Sequence, residues 1–311
     1  MIQPDYRVLL DEEIWAYMDR SDSFYPPDAV SLTIDQQRAV YNRMCAAFHQ
    51  PHPDGVRTWD VAFGGVPCRV YEADTSAITV VYYHGGGFIV GGLDSHDDVC
   101  AEICAATGYD VIAVNYRLAP EHRYPAMFDD ALVATRHVFA MSSQPVLLCG
   151  DSAGGNLAAA VAHTLRNTET QITGQLLIYP ALGGDSNTGS YLRHADAPML
   201  SRDDVMFYEN IRVEGQPPTS DPTYAPLMDR DFSGLPPTIV ISAKFDPLSD
   251  DGQDYCQRIA AAGGRSRWVN EEGLVHGYLR ARHSVPRAKQ SFARITSALH
   301  DLGRGVWPGD D

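Results

Sequence analysis

The chain has no apolar run near the roughly 20 residues that a membrane span requires, no basic run, and no internal repeat or low-complexity tract. Acidic residues outnumber basic ones, 40 to 24, for a formal net charge of −16 in 311 residues. Such a chain lacks the positive footprint that binds nucleic acid or an anionic membrane, so neither is expected as a partner. Cysteine is sparse. Cys45, Cys68, Cys100, Cys104, Cys149 and Cys256 show no disulfide-framework spacing, and reduced thiols are the simpler expectation. The acidic opening residues, 1–20, are wrong for a secretory leader, and a cytoplasmic location is expected. There is no His-Glu-x-x-His, no Cys-x-x-Cys pair and no phosphate-cradling Gly-Lys-Ser/Thr. No metal is therefore expected.

Two short segments and two single residues stand out instead. Gly150-Asp151-Ser152-Ala153-Gly154 follows an apolar run, PVLLC, and precedes an alanine-rich stretch, GGNLAAAVAHTLR. A G-x-S-x-G between strand and helix forces a sharp turn that exposes the serine hydroxyl, and its glycines let the two arms approach closely. The helix N-terminus adds positive potential where an oxyanion forms. His84-Gly85-Gly86-Gly87 follows the β-branched and aromatic run ITVVYY. Its glycines leave backbone N–H groups unobstructed, and each such donor aimed at a developing oxyanion is worth about 3–4 kcal/mol. Gly86, Gly87 and, next to the serine, Ala153 are the candidate donors. His84 is read as bonding its own loop.

An acid and a base are needed to complete a serine nucleophile. Asp246 falls just beyond the apolar strand TIVISA, at the strand end where ligands bind in such sheets. Asp250 and Asp251 are rivals, but they sit where a first helical turn is expected, and acidic residues are ordinary there. Among eleven histidines, His276 is selected by its place in a glycine-flanked loop after the last predicted strand. It would take the Ser152 proton and pass it to the leaving group, while Asp246 holds its tautomer.

The stretches YHGGGFIVGGLDSHDD, NYRLAPEHRYPA, GDSAGGNLA, FDPLSDDG and HGY, spread from Tyr83 to Tyr278, resemble the hormone-sensitive lipase-like (bacterial family IV) esterases, of the GDSAG type. The resemblance implies a cofactor-free carboxylic ester hydrolase with Ser152, Asp246 and His276 as triad and an oxyanion hole from Gly86, Gly87 and Ala153. Tyr83, Cys149 and Tyr278 depart from the residues common at their positions. None of them removes a catalytic group.

Strand-like runs near 78–83, 111–115, 146–149, 176–179, 239–242 and 267–270 alternate with helical stretches, and 56–73 reads as a hairpin around Gly64-Gly65. The expected fold is α/β: an α/β-hydrolase with a mostly parallel central sheet flanked by helices and a helical cap. Residues 1–53 are expected as N-terminal cap helices, 54–185 and 223–311 as the two parts of the catalytic domain, and 186–222 as a cap insertion. The substrate pocket is expected to include Phe88, Ile89 and Val90 with Met44, Phe48, Met206 and Phe207 from the cap. Asp94 to Asp98 reads as a helix N-cap with acidic first-turn residues rather than a metal cluster, and Arg117 with Glu121 as a structural ion pair or loop brace. The expected partner is a small, short-acyl ester; a homodimer is left open. The same triad also serves an amidase, lactonase or carbohydrate deacetylase, and a non-catalytic ligand-binding relative is the reading from another class.

Overall fold

A computed structural model of the chain describes residues 4–27, 32–74, 76–141, 144–168 and 172–307. Residues 1–3 and 28–31 of the predicted N-terminal helical segment, and 308–311, lie outside the described residues.

Eight strands form one sheet in the order β1-β2-β4-β3-β5-β6-β7-β8. They are β1 (Arg57–Phe63), β2 (Val66–Glu72), β3 (Thr79–Tyr83), β4 (Asp110–Val114), β5 (Val146–Asp151), β6 (Ile172–Ile178), β7 (Thr238–Phe245) and β8 (Ser266–Val275). β1 and β2 form the expected hairpin, β2 also runs antiparallel to β4, and every later pairing is parallel. Parallel strands covered on both faces read as unbroken apolar runs, which is the pattern of β3 and β5.

Alternation along these strands splits the core in two. Val80 and Tyr82 of β3, with Leu147 and Cys149 of β5, face α4 (Asp97–Thr107) and α10 (Pro286–Gly303). Val81 and Tyr83, with Val146 and Leu148, face α5 (Ala126–Met141), α6 (Ala153–Leu165) and α9 (Ser249–Ala261). Nearly every residue of α6 is buried, and its alanines let the helix lie close on the sheet. All six cysteines are buried and unpaired.

The remaining helices come from the two segments that the strand pattern leaves over. The first carries α1 (Tyr6–Leu9), α2 (Glu12–Asp22) and α3 (Ile34–Phe48). The second carries α7 (Gly189–Arg193) and α8 (Arg202–Arg212). Three of their N-termini are capped by side chains: Asp11 caps α2, and Thr33 with Gln36 and Ser201 with Asp204 make reciprocal capping boxes on α3 and α8. Among the described residues no helix is long and apolar enough to cross a membrane.

Two sequence expectations are corrected. Arg117 and Glu121 brace their loop, but not by pairing with each other. Arg117 binds Asp130 of α5 at 2.8 Å, and Glu121 binds Arg38 of α3 at 2.7 Å. At 94–98, Asp97 and Asp98 do occupy the first turn of α4, but the N-cap residue is His96 and its side chain makes no cap bond.

The sheet leaves Gly154 no room for a side chain. A Cβ there would lie 1.9 Å from the Tyr83 carbonyl oxygen. Gly154→Ala should therefore cost more than an ordinary core misfit, about 3 kcal/mol or more. Urea unfolding monitored by circular dichroism checks this; a loss below about 1 kcal/mol would show that β3 and α6 yield easily.

Candidate active site

Ser152 follows β5 directly and is the N-cap of α6, with φ 54° and ψ −117°, a conformation that L-residues avoid. The turn is held by three backbone bonds: Ser152 N–H donates to Ile178 O at 2.8 Å, while Ser152 O accepts from Asn156 at 3.1 Å and Ala181 at 3.2 Å. Phe88, Tyr179 and Met199 also have positive φ, and all three border the same cavity as Ser152. Strain of this kind collects where a site must be held against relaxation.

His276 follows β8 directly. Its Nε2 lies 2.9 Å from Ser152 Oγ and its Nδ1 2.7 Å from Asp246 Oδ2. A carboxylate only accepts, so Nδ1 carries the proton and Nε2 presents its lone pair to the serine hydroxyl. Asp246 is fully buried, and its other oxygen accepts the Leu248 N–H at 2.9 Å. Tyr179 packs on the His276 ring at 4.7 Å between centroids, and Tyr278 packs edge-on against Tyr179. Of the rival carboxylates, Asp250 binds Arg193 and the Ser190 N–H. Asp251 points inward, accepting from Leu182 N, Gly184 N and the Tyr191 hydroxyl.

Gly86, Gly87 and Ala153 line, together with Ser152, a cavity of about 340 Å³. The Gly86 carbonyl accepts from both Ile89 and Val90 at 3.0 Å, closing the glycine loop into a turn. Gly86 has φ 123°, and a Cβ there would sit 2.2 Å from the Val90 carbonyl oxygen. His84 does bind its own loop, Nδ1 to Gly85 O at 2.8 Å, with Tyr116 stacked on its ring at 4.3 Å. Burial, and then the neighbouring His96, hold His84 down to about 3, so it stays neutral.

Sequence reasoning missed Asp151. Its carboxylate accepts from the Gly85 N–H at 3.0 Å, the Tyr82 hydroxyl at 2.7 Å and His96 Nε2 at 3.4 Å. Burial pushes this carboxyl up, but His96 and the Tyr82 hydroxyl outweigh it and hold it well below the ordinary range. Asp151 thereby ties the glycine loop to the serine turn. The aspartate was visible inside the motif, but its reach to β3 was not.

The cavity wall mixes both leftover helical segments with the sheet. Val205, Tyr208, Glu209 and Arg212 recur at helical spacing on the inner face of α8. The same spacing turns Phe207 out, 43% exposed, and keeps Met206 off the wall; both depart from the expected pocket. Ile89 and Phe48 depart too. Ile89 is fully buried in the core beneath the glycine loop, and Phe48 packs edge-on against Tyr17 under the Arg20 guanidinium. Met44, Phe88 and Val90 do line the cavity.

Arg212 is buried between Phe88 and Tyr224, its guanidinium 3.8 and 4.1 Å from the ring centroids, and burial pulls it down to about 10. It donates to Tyr224 O and to Asn156 Oδ1, and Asn156 lies in the first turn of α6. This network fastens α8 to the helix that begins at the serine.

A mostly parallel sheet with a strained serine after its fifth strand, a histidine after its eighth and a glycine loop after its third is the layout of an α/β hydrolase. A family model described as alpha/beta hydrolase fold matches residues 80–280. The carboxylesterase NlhH of Mycobacterium tuberculosis is 38% identical over 248 residues, 75% of this chain and 77% of that protein. Esterase LipI of the same organism is 36% identical over 294 residues, 88% and 91% of the two chains. A solved esterase of the bacterial hormone-sensitive lipase family superposes with a TM-score of 0.86 at 27% identity, covering 94% of this chain and 98% of that one. The chain belongs to the α/β-hydrolase family, among its hormone-sensitive lipase-like members.

Protonation sets how the fold tolerates acid. His84 and His163 are held neutral, at about 3 and about 4, chiefly by burial, against an ordinary 6.5. Between those values the unfolded chain takes up protons that the folded chain refuses, so their contribution is lost as pH falls below 6.5. Asp251 opposes this. Burial pushes it up to about 7, so from 7 down to 3.8 the folded chain takes up a proton first and gains stability. Asp251→Asn removes the opposing term, and its urea midpoint should fall more steeply than wild type from pH 7 to pH 4. Parallel pH profiles would show that Asp251 is ionised in the fold.

Proposed function

We propose that this protein is a serine carboxylesterase acting on small, short-acyl esters through an acyl-enzyme. The observation that carries the reading is the continuous relay from Ser152 Oγ to His276 to buried Asp246, at 2.9 and 2.7 Å, in a cavity that Gly86, Gly87 and Ala153 also line. In this reading His276 accepts the serine proton as Oγ attacks the ester carbonyl. Asp246 stabilises the resulting imidazolium, and Gly86, Gly87 and Ala153 N–H groups hold the oxyanion. Collapse transfers the proton to the departing alcohol, and water, activated by the same histidine, then frees the acid. The names of the relatives, a carboxylesterase and an esterase, support the ester bond as the target.

The two helical segments, 1–53 and 186–222, are read as a cap over the serine. Tyr17 and Met44 from one and Tyr191 and Tyr208 from the other line the cavity, which supports it. A cover of this kind excludes water and strengthens every electrostatic contact below it.

Ser152→Ala should abolish ester hydrolysis in a folded protein, and Asp246→Asn should lower kcat by about 10⁴ while Asp251→Asn has a far smaller effect. Steady-state kinetics on p-nitrophenyl acetate decide both. A near-wild-type Ser152→Ala, or the reverse ranking of the aspartates, would overturn the assignment.

Acyl preference follows from the walls. The cavity is at the small end of the range for ligand sites, and Tyr208 lies directly on the glycine loop: a Cβ at Gly87 would sit 2.6 Å from its ring. Each buried CH₂ gains about 0.8 kcal/mol until the chain meets the wall, after which it gains nothing. Acetate to butyrate esters should exceed decanoate in kcat/KM. A maximum at decanoate or beyond, or activation at an oil–water interface, would make this a long-chain lipase.

A further inference from the structure

We propose that His49, His52 and Asp97, away from the serine cavity, form a binding site for a divalent transition-metal ion of the zinc class. His49 caps the C-terminal end of α3, and His52 follows in the Pro51-His52-Pro53 segment. Both rings aim Nε2 at one oxygen, Asp97 Oδ2, at 3.1 and 2.6 Å. The three donor atoms all lie within 4.8 Å of one another. An ion bound at about 2.0–2.1 Å to each ligand separates them by about 3.3 Å in a tetrahedron, so the two imidazole–carboxylate distances open toward that value on binding.

The surroundings suit a cation. The second oxygen of Asp97 is held by the Tyr71 hydroxyl at 2.8 Å and Arg69 Nη1 at 3.0 Å, the outer support that orients a ligating carboxylate. Arg69 is shared among Asp60, Asp94 and Asp97, three carboxylates against one guanidinium, which leaves the cluster negative. A shallow hollow lined by Ala46, His49, Asp94 and Asp97 gives room for solvent or Asp94 as a further ligand. The backbone is preset: two prolines flank His52, and the Gln50 N–H is tied to Asp98 Oδ2 at 3.1 Å. Two imidazoles and one carboxylate favour zinc over magnesium or calcium, which prefer all-oxygen sets.

Binding replaces the two imidazole contacts to Asp97 with metal bonds, and any proton on either Nε2 is released to solvent. The ion joins the C-terminal end of α3 to the first turn of α4. Because Tyr41 and Met44 of α3 line the serine cavity, it braces one wall of that cavity without touching the reacting groups.

The test is titration of untagged, EDTA-treated full-length protein with zinc chloride by isothermal calorimetry, with thermal unfolding alongside. Wild type should bind one equivalent and melt several degrees higher with zinc. His49→Gln/His52→Gln should lose that equivalent and the zinc-dependent shift while melting like the metal-free wild type. Tyr71→Phe should weaken binding by about tenfold. His283→Ala, on a surface histidine paired with Glu102, should change nothing. No bound equivalent in wild type, or one that survives in the double variant, overturns the site.

Discussion

The separation of β3 and β5 controls everything at the serine. The glycine loop leaves β3 after Tyr83 and the serine leaves β5 after Asp151, and the two strands are hydrogen-bonded neighbours. Gly154 presses α6 against the Tyr83 carbonyl, and the Asp151 carboxylate reaches across to the Gly85 N–H. The first contact fixes how near the two strand ends approach. The second fixes how the loop is turned. Together they hold the glycine loop beside the serine turn, so the strain in Ser152 is held by packing and hydrogen bonds on both sides.

The cavity beside the serine is made by contacts of a different kind. Arg212 is stacked between aromatic rings and bonded to Asn156, so the inner face of α8 is anchored to the start of α6. On the other side, Arg280 donates to Tyr41 of α3 and to the Ser95 carbonyl before α4, and Arg38 donates to Ile89 O, Ala119 O and Glu121. Side-chain charges thus hold the helical segments onto the sheet domain, where backbone ladders cannot reach. A buried cation held this way costs much to leave unpaired, which keeps these segments in one position.

The acidic run 94–98 shows how one stretch serves several ends. His96 turns in to Asp151, Asp98 turns to Arg282 and the Gln50 N–H, and Asp97 turns out to His49 and His52. Successive positions at the start of a helix point about 100° apart, so neighbours in sequence meet different partners.

Much of this was legible in the sequence because it rests on local pattern. Apolar runs of the right length gave parallel strands, alternation around Gly64-Gly65 gave the hairpin, and the motif order gave the hydrolase fold. Alanine spacing placed α6, and the chain order of Ser152, Asp246 and His276 follows from where strands end. Tertiary structure decided what depends on distance. It set the 2.7 Å contact of Asp246 with His276 and gave the rival carboxylates other partners, Arg193 for Asp250 and the Leu182 and Gly184 N–H groups for Asp251. It turned Phe207 to solvent and Tyr208 to the cavity, a matter of helix phase that hydrophobicity alone does not reveal. It paired Arg117 with Asp130, and joined Asp97 to two histidines 48 and 45 positions away, because side chains far apart in sequence meet only once the sheet has closed.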